Sequence, residues 1–285
     1  MTLISPNQPP LSWEQSVEWL RSQANQIELA KACYYDDPIE KAARRFTASD
    51  EFKEVLKIAS LRPQSKVLDI GAGRGIASFG FASNGHQVTA LEPDPSKIVG
   101  RGAIEQLSHR TGVPIHISAA SAENIESPNN EYDLIYCRAA LHHARSLVDL
   151  CKELHRVLKP GGMLIATREH VLSKESDLPE FLANHPLHHL YGGEMAYTLS
   201  TYQKNIKSTG LKLVKILGPR QSIINAYPKS YNNLNDEIGS YLRLKFGVFG
   251  RLINKIPRAQ KTTSQWLDHR DRTPGRLYSF IAIKS

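Results

Sequence analysis

The sequence predicts an α/β fold with a mostly parallel sheet. A short apolar run at 67–70 fits a buried parallel strand and leads directly into a glycine-rich turn. A second strand pattern at 86–91 ends in an acid, Glu92. Strand-like runs then continue to alternate with helical periodicity as far as residue 168, which is how chains with parallel sheets are organised.

The turn after the first strand carries three glycines at alternate positions, Gly71, Gly73 and Gly75. Glycine allows positive φ and places no Cβ in a ligand's way, and the helix that starts behind the turn offers free N–H groups. A dinucleotide-binding Gly-x-Gly-x-x-Gly turn would need its third glycine at residue 76, which is Ile. The turn therefore predicts the close approach of a ligand that is not bound through a dinucleotide-binding motif. The alternative is a glycine turn without a ligand.

Composition describes an ordinary globular chain of 285 residues, 41% hydrophobic and 22% charged. No apolar run reaches the roughly 18 residues of a membrane helix, and no secretory signal is evident. Three cysteines without metal-type spacing predict reduced thiols in a cytoplasmic protein. The net charge of +8 is uneven, because residues 201–285 hold sixteen Lys and Arg against four Asp and Glu. That excess predicts an anionic partner or a solvated basic face.

A helical leader is predicted over residues 1–60, behind a loose arm of ten residues with three prolines. Apolar positions at three- and four-residue steps predict its helices, over 12–31, 38–46 and 49–59. Tyr35 or Arg45 could reach a ligand in the glycine turn, although packing against the sheet is the simpler role.

The central part of the chain continues the alternation of elements. Helices are predicted over 95–110 and 146–158, and strands over 114–118, 131–137 and 163–168. The Pro-Gly-Gly sequence at 160–162 separates the second of these helices from the strand that follows.

Three motifs in this order resemble the class I S-adenosylmethionine (SAM) methyltransferases. They are Val-Leu-Asp-Ile-Gly-Ala-Gly-Arg-Gly at 67–75, Leu-His-His at 141–143 and Arg-Val-Leu-Lys-Pro-Gly-Gly at 156–162. The last two are similar to the small-molecule branch that includes quinone-biosynthesis enzymes. The resemblance covers about residues 50–170. It implies SAM as cofactor and a Rossmann-like sheet of seven mostly parallel strands with an antiparallel last strand.

The resemblance also implies which residues hold SAM. Its amino-acid tail and sulfonium would be wrapped by four residues of the turn: Asp69, Gly71, Ala72 and Gly73. Glu92 would accept hydrogen bonds from the ribose hydroxyls, and Pro93 ends the strand behind it.

The adenine ring would lie beside the loop after the third strand, at Ala122 and Glu123. This chain has Ser121 where many relatives carry an acid, so the acceptor for the adenine amino group is left open. Arg138, after the fourth strand, is also predicted to contact the cofactor. Arg138 and Arg168 could instead bind an anionic substrate or pair with surface acids.

Beyond residue 170 the chain completes the sheet and carries two insertions. A helix over 197–209 is predicted to precede the sixth strand at 211–216, and the seventh strand lies at 276–284. The insertions, 170–196 and 218–275, follow strands and are expected at the ligand-binding edge. The predicted division is a leader at 1–60, a core of 61–217 and 276–285, and a helical substrate lid at 218–275.

The lid interleaves apolar and basic residues. Its apolar stripe is expected to face the core: Leu234, Ile238, Tyr241, Leu242, Phe246, Phe249, Leu252 and Ile256. The basic positions are Arg243, Lys245, Arg251 and Lys255. This pattern predicts a lid that selects an anionic or amphiphilic substrate, while a basic amphipathic face could instead rest on a membrane surface.

Candidate general bases stand after strands four and five: His142, His143, Glu169 and His170. His170 is preferred because it directly follows the fifth strand and an imidazole titrates near neutral pH. Substrate contacts are expected in the first insertion, from His188, His189, Tyr191 and Glu194.

The histidines of this insertion would suffice for a metal site. No metal is nevertheless predicted, because metal-dependent methyltransferases of this fold place carboxylates after strands four and five, where this chain has Arg138 and Glu169.

The sequence therefore predicts a SAM-dependent methyltransferase that acts on an oxygen or nitrogen of a small or lipid-like metabolite. Nucleic-acid amine methyltransferases carry an Asn/Asp-Pro-Pro-aromatic motif after strand four, where this chain has Cys-Arg-Ala-Ala at 137–140. Two alternatives stay open: an RNA methyltransferase that uses the basic C-terminal third, and a non-catalytic SAM-fold binding protein.

Overall fold

A computed structural model describes residues 10–285, so the predicted N-terminal arm, apart from Pro10, lies outside the described residues. The strands are β1 Lys66–Ile70, β2 Gln87–Leu91, β3 His116–Ser118, β4 Tyr132–Arg138, β5 Leu158–Leu172, β6 Tyr197–Thr198, β7 Leu211–Leu217 and β8 Arg276–Lys284. The helices are α1 Trp13–Ser22, α2 Ile27–Ala32, α3 Ile39–Ala48, α4 Asp50–Ala59, α5 Ile76–Ser83, α6 Arg101–Thr111, α7 Leu147–Val157, α8 Leu178–Asn184, α9 His188–Tyr191, α10 Leu199–Ser208, α11 Tyr231–Phe246, α12 Val248–Ile253 and α13 Pro257–Arg270.

The strands form one sheet in the order β3-β2-β1-β4-β5-β8-β7, with the short β6 paired to β5. All pairs are parallel except those of β8, which runs antiparallel between β5 and β7. The predicted Rossmann-like sheet with an antiparallel last strand is confirmed. In this arrangement the carboxyl ends of β1, β2, β4 and β5 meet at one edge, where open α/β sheets bind ligands.

Two apolar cores lie on opposite faces of the sheet. Alternate residues of β1 separate between them, because successive side chains of a strand point to opposite faces. Val67 packs with α3, α4, α5 and α6, whereas Leu68 packs with α7 and α10. The near-continuous burial of β1 and β4 follows from this double cover.

The predicted helix over 12–31 is wrong as a single element. It breaks at Gln23, which is extended and follows α1. The side chains of Ser22 and Gln23 donate to the Trp19 carbonyl, and this competition with the helical hydrogen bonds is typical of polar residues at helix ends. Likewise the helix predicted from residue 95 begins at Arg101, because Ser96 turns the preceding backbone by accepting from the N–H groups of Ile98 and Val99.

The fifth strand is much longer than predicted, at Leu158–Leu172 rather than 163–168. Its carboxyl half pairs with β8 and β6, so His170 lies inside the strand and not after it. A register shift between Ala166 and Glu169 interrupts the pairing with β8, and Arg168 adopts a positive φ of 60° there. The helix predicted over 197–209 begins at Leu199, since Tyr197 and Thr198 form β6.

Three helices, α11 to α13, occupy the segment predicted to be a lid. The hydroxyl of Tyr231 donates to Glu54 Oε2 at 2.7 Å, which anchors α11 to α4. Arg220 joins α11 and the end of α13 through Glu237 at 3.0 Å and Asp271 at 2.8 Å. None of the helices of residues 10–285 is long and apolar enough to cross a membrane.

The predicted core-facing stripe of these helices is only half right. Leu234, Ile238 and Leu242 are buried and Tyr241 is half-buried. Beyond them, the apolar positions are exposed: Phe246, Phe249, Leu252 and Ile256. The reason is that the chain turns at Gly247, φ 56°, so α12 does not continue the buried face of α11.

Candidate functional site

The glycine turn lies at the carboxyl end of β1, where three glycines have positive φ: 63° at Gly71, 54° at Gly73 and 75° at Gly75. A Cβ on Gly71 would lie 3.1 Å from the Cβ of Ala140, so the turn packs closely against the chain after β4. The N–H groups of Gly71 and Ala72 donate to the Leu91 carbonyl at 3.0 and 3.2 Å. These contacts explain why side chains are excluded here.

Two buried carboxylates flank the turn. Asp69 accepts a hydrogen bond from Ser78 Oγ at 2.6 Å, and burial raises its pKa to about 7. Glu92 accepts from the N–H of Gly73 at 2.7 Å and from the N–H of Asp94 at 3.0 Å. Because each carboxylate oxygen can accept two hydrogen bonds, Glu92 keeps capacity for further donors. Pro93 is exposed beside it.

A segment of the leader covers the turn. Arg74 is only 5% exposed and donates to the carbonyls of Tyr34 and Asp36, each at 2.9 Å. Its other nitrogen pairs with Asp37 at 2.5 Å. The resulting pocket is bounded by both segments: Cys33, Tyr34, Tyr35, Phe46, Asp69, Gly71, Ala72, Gly73, Arg74, Ile76, Ala77 and Arg138. Arg74 was not predicted as a site residue. Its position between two glycines of the motif is the sequence feature that could have identified it.

Arg138 lines this pocket, but it already has a carboxylate partner. Its Nε donates to Glu51 Oε1 at 2.7 Å, and the buried Glu51 was not predicted. The guanidinium also lies 5.3 Å from the ring centre of Tyr34. The simple surface pairing considered from the sequence is therefore wrong, because the ion pair is internal.

Arg168 presents a second guanidinium. It donates to the Tyr227 carbonyl at 3.3 Å, and no carboxylate of residues 10–285 lies within ion-pair distance of it. Burial and then the charge of Arg138 lower its pKa. Arg45, in contrast, pairs with Asp36 at 2.6 Å, and Tyr35 lines the pocket.

Ala122 and Glu123 lie after β3 and outside the pocket lining just described. Ala122 packs on the core, and Glu123 accepts a hydrogen bond from the Arg145 N–H at 2.8 Å. Their roles at the adenine ring stay predictions.

Glu169 is fully buried and its carboxylate is saturated with donors. Oε1 accepts from the N–H groups of Ala140 and Leu141 at 3.0 and 3.1 Å. Oε2 lies 3.1 Å from the His142 N–H and 2.7 Å from His142 Nδ1. Its catalytic role stays a prediction, but this is the geometry of a residue that orients the chain after β4.

Four histidine rings gather beside Glu169. The ring of His142 lies 4.2 Å from that of His143 and 4.9 Å from that of His170. The ring of His185 follows at 5.7 Å from His170. Burial lowers the pKa of His142 to about 3, and those of His170 and His185 to about 4. The three rings are consequently neutral at neutral pH.

The predicted substrate contacts separate into two places. Glu194 reaches the histidines, with carboxylate oxygens 3.7 Å from His142 Nε2 and from His185 Nε2. Tyr191 donates its hydroxyl to the same carboxylate. His189, however, lies on the surface against the ring of Trp19, and His188 is half-buried outside the cluster. His185 was not among the predicted substrate contacts, although it is one of the three histidines of the insertion that were considered for a metal site.

Comparison with known protein sequences matches the central part of the chain. Residues 68–166 match the methyltransferase domain family. The uncharacterized methyltransferase YcgJ of Bacillus subtilis is 27% identical over 164 residues, 53% of this chain and 60% of its own length. A ubiquinone biosynthesis O-methyltransferase of Pseudomonas syringae is 29% identical over 135 residues, 43% of this chain and 56% of its own length. This chain thus matches less than two thirds of either relative.

A solved structure extends the likeness to nearly the whole fold. Phosphoethanolamine N-methyltransferase 2 of Haemonchus contortus, in complex with phosphomonomethylethanolamine and S-adenosylhomocysteine, superposes with a TM-score of 0.57. It is 17% identical, and the superposition covers 96% of this chain and 60% of that one. The resemblance to class I SAM-dependent methyltransferases is confirmed.

Proposed function

We propose that this protein is a SAM-dependent methyltransferase with a small-molecule acceptor. The observation that carries the proposal is the glycine turn between two buried carboxylates, Asp69 and Glu92, at the ligand-binding edge of a class I sheet. The methyltransferases among its relatives support the reaction type, and the cofactor analogue in the Haemonchus enzyme supports SAM.

The residues of the turn fit SAM. Gly71 and Gly73 have positive φ and leave the pocket free of side chains at their positions. Asp69 would hold the cationic amino-acid end, and Glu92 would accept from the ribose hydroxyls. Bound SAM supplies an electrophilic methyl group, so the protein's main task is to hold the acceptor in line with it, which can lower a barrier by about 7–11 kcal/mol.

The acceptor is proposed to be a small molecule with an anionic group. Arg168 supports this, because it presents a half-buried guanidinium without a carboxylate partner in residues 10–285. Arginine binds carboxylates and phosphates through paired N–H donors. Two of the proteins compared above, a phosphoethanolamine N-methyltransferase and a ubiquinone biosynthesis O-methyltransferase, support a small-molecule acceptor without identifying it.

The cofactor assignment is tested by calorimetry with SAM and S-adenosylhomocysteine. We expect binding by the wild type and at least about tenfold weaker binding by Glu92→Ala, since hydrogen bonds to a charged acceptor contribute about 1.5–3 kcal/mol each. Glu105→Ala is the control, because Glu105 is exposed on α6, away from the turn. A folded wild type that binds neither ligand would contradict the proposal.

Turnover is then sought with methyl-labelled SAM and a panel of phosphorylated, carboxylated and neutral acceptors. Label transfer to an anionic small molecule supports the acceptor class, with Arg168→Met raising its KM. Transfer only to RNA would replace the small-molecule acceptor by the RNA alternative.

A further inference from the structure

The proposed transfer reaction does not by itself require the group of imidazoles beside Glu169. We define the histidine cluster as His142, His143, His170, His185 and Glu194. Two sets of potential ligand atoms share Glu194: one with His142 and His143, the other with His170 and His185. Within each set all ligand atoms lie within 4.8 Å of one another.

Hydrogen bonds from the other ring nitrogens orient two of the imidazoles. His142 Nδ1 lies 2.7 Å from the Glu169 carboxylate, and His170 Nδ1 lies 2.9 Å from the Gly275 carbonyl. Both partners are acceptors, so each Nδ1 carries the proton and each Nε2 presents a lone pair. Metal-bound histidines almost always have such a carboxylate or carbonyl partner on the second nitrogen.

Glu194 supplies an independent observation. It is 7% exposed, and its Oε1 is taken by the Tyr191 hydroxyl. Its buried Oε2 has no hydrogen-bond donor in residues 10–285, although it lies 3.7 Å from His142 Nε2. A buried carboxylate oxygen without a donor is costly, and a cation among neutral imidazoles would remove that cost.

We propose that the histidine cluster binds one divalent transition-metal ion, with Glu194 as its central ligand. Ligand atoms of a tetrahedral zinc site lie about 2.0–2.2 Å from the metal. The atoms of each set, within 4.8 Å of one another, are close enough to share one ion. Imidazole donors favour zinc, iron, nickel or copper over magnesium and calcium. The expectation of no metal came from the carboxylate pattern of other metal-dependent methyltransferases, whereas these ligands come from different positions.

The histidine cluster begins two residues beyond the chain segment that packs on the glycine turn. His142 follows Ala140, which packs directly on Gly71. An ion there could polarise an acceptor hydroxyl, as metal ions do elsewhere. The inference does not rest on the proposed function, because metal binding is measured without turnover.

The test is a titration of chelator-treated full-length protein with Co²⁺ and, separately, Zn²⁺. We expect one equivalent of metal per chain by elemental analysis and a visible cobalt absorption typical of nitrogen and oxygen ligands. Glu194→Gln, which keeps the shape but removes the charge, should weaken binding at least tenfold. Glu169→Gln, a change in a positioning residue, should weaken it about 10–100-fold and alter the cobalt spectrum.

His116→Gln is the matched control, because His116 is exposed on β3 and lies outside the cluster. It should leave the affinity and the spectrum unchanged, and circular dichroism should show that all variants are folded. A folded wild type that retains less than a tenth of an equivalent of either metal would overturn the proposal. Equal affinity in wild type and Glu194→Gln would overturn the assigned ligand.

A second, separate feature is the exposed end of α11 with α12. We define the apolar tip as Leu244, Phe246, Val248, Phe249, Leu252 and Ile256. Leu244 is 88% exposed, Val248 77% and Phe249 68%. Soluble proteins rarely expose so many neighbouring large apolar side chains without a partner.

The charge around the apolar tip has one sign. Between Glu237 and Asp268 the sequence contains no acid and six cations: Arg243, Lys245, Arg251, Lys255, Arg258 and Lys261. All six are exposed, and none has a carboxylate partner within residues 10–285. Helices that bind membrane interfaces typically combine basic residues with apolar side chains that insert into the membrane.

We infer that the apolar tip docks on an anionic lipid surface. Aliphatic and phenyl side chains can insert between lipid headgroups, and each nearby Lys or Arg adds electrostatic attraction to anionic lipid. Nucleic acid is disfavoured because only two of the six tip residues are aromatic, which leaves few surfaces for base stacking.

Sedimentation with vesicles tests this inference. The wild type should bind phosphatidylcholine vesicles containing phosphatidylglycerol, less at high salt, and should not bind phosphatidylcholine alone. Val248→Ser with Phe249→Ser should reduce the bound fraction at least fivefold. Ile27→Ser is the control, because Ile27 is 47% exposed and lies on α2, outside the apolar tip. No binding to anionic vesicles, vesicle binding that the serine pair leaves unchanged, or RNA binding that the serine pair abolishes would contradict it.

Discussion

The carboxyl group of Asp69 is buried beside the glycine turn. It is 2% exposed, and burial raises its pKa to about 7, although the bond from Ser78 partly opposes this. The carboxyl group of the free protein therefore changes charge within the range of neutral pH. A bound cation would favour its ionised form.

We expect SAM to bind more tightly as pH rises from 6 to 7.5. Below the pKa of about 7 Asp69 is mostly protonated and attracts the cationic amino-acid end of SAM weakly; above it the carboxylate is present. The Kd from calorimetry should fall roughly fivefold to tenfold over this interval.

Asp69→Asn is the control for this pH dependence. Its affinity should be low and nearly flat with pH, because the amide does not ionise. A wild-type Kd that is independent of pH would show that Asp69 is not the group that titrates on SAM binding.

Residues were predictable where the motif is contiguous. The turn and Glu92 could be located from spacing alone, because the local chain sets their geometry. Glu51 could not, since it meets Arg138 across 87 positions. His185 and Glu194 approach His142 only after the first insertion folds back over β4 and β5, and no local spacing encodes that distance.

Among the elements, the leader segment is joined to the glycine turn by the side chain of Arg74. Arg74 donates to two carbonyls of this segment and pairs with Asp37, while Arg21 pairs with the same carboxylate from α1. The segment also places Tyr34 in the left-handed region, φ 61°, where it stacks on Tyr227 at 4.8 Å. Arg74 therefore connects the glycine turn to the leader segment that covers it.

Arg74→Met keeps much of the side chain's bulk but removes every one of these hydrogen bonds. We expect the free energy of unfolding to fall by about 2 kcal/mol, since bonds from a charged donor to buried acceptors are lost. Amide hydrogen exchange at residues 33–37 should rise, because the segment loses its anchor.

Arg62→Met, at an exposed position before β1, is the matched variant and should change neither quantity by a measurable amount. Unaltered exchange at 33–37 in Arg74→Met would show that the aromatic contacts of Tyr34 alone hold the segment.

The order and type of the long elements followed from periodicity, but several ends did not. Tertiary pairing extends β5 to Leu172, because β8 and β6 supply partners that periodicity cannot reveal. Polar side chains that bond to nearby backbone ended α1 and delayed α6, and these contacts depend on rotamers.

At the scale of the whole molecule, periodicity identifies an apolar stripe but does not show whether that stripe packs on the core or is exposed. Leu234 and Ile238 pack inward on α11, whereas Phe249 and Leu252 on α12 face outward. The turn at Gly247 causes this difference, and the presence of a single glycine in the sequence did not predict the turn. The excess of positive charge in residues 201–285 and the run of cations between Glu237 and Asp268 were visible in the sequence. That the apolar side chains among them are exposed required the fold.

The antiparallel β8 has a consequence for how such a protein can diverge. Leu217 at the end of β7 pairs directly with Ser279 in β8, so the 218–275 segment leaves and re-enters the sheet on adjacent strands. A segment whose ends already meet can be lengthened, shortened or replaced with little change in chain entropy and without moving the strands. Related chains can therefore differ in this one segment while the strands and the glycine turn stay the same.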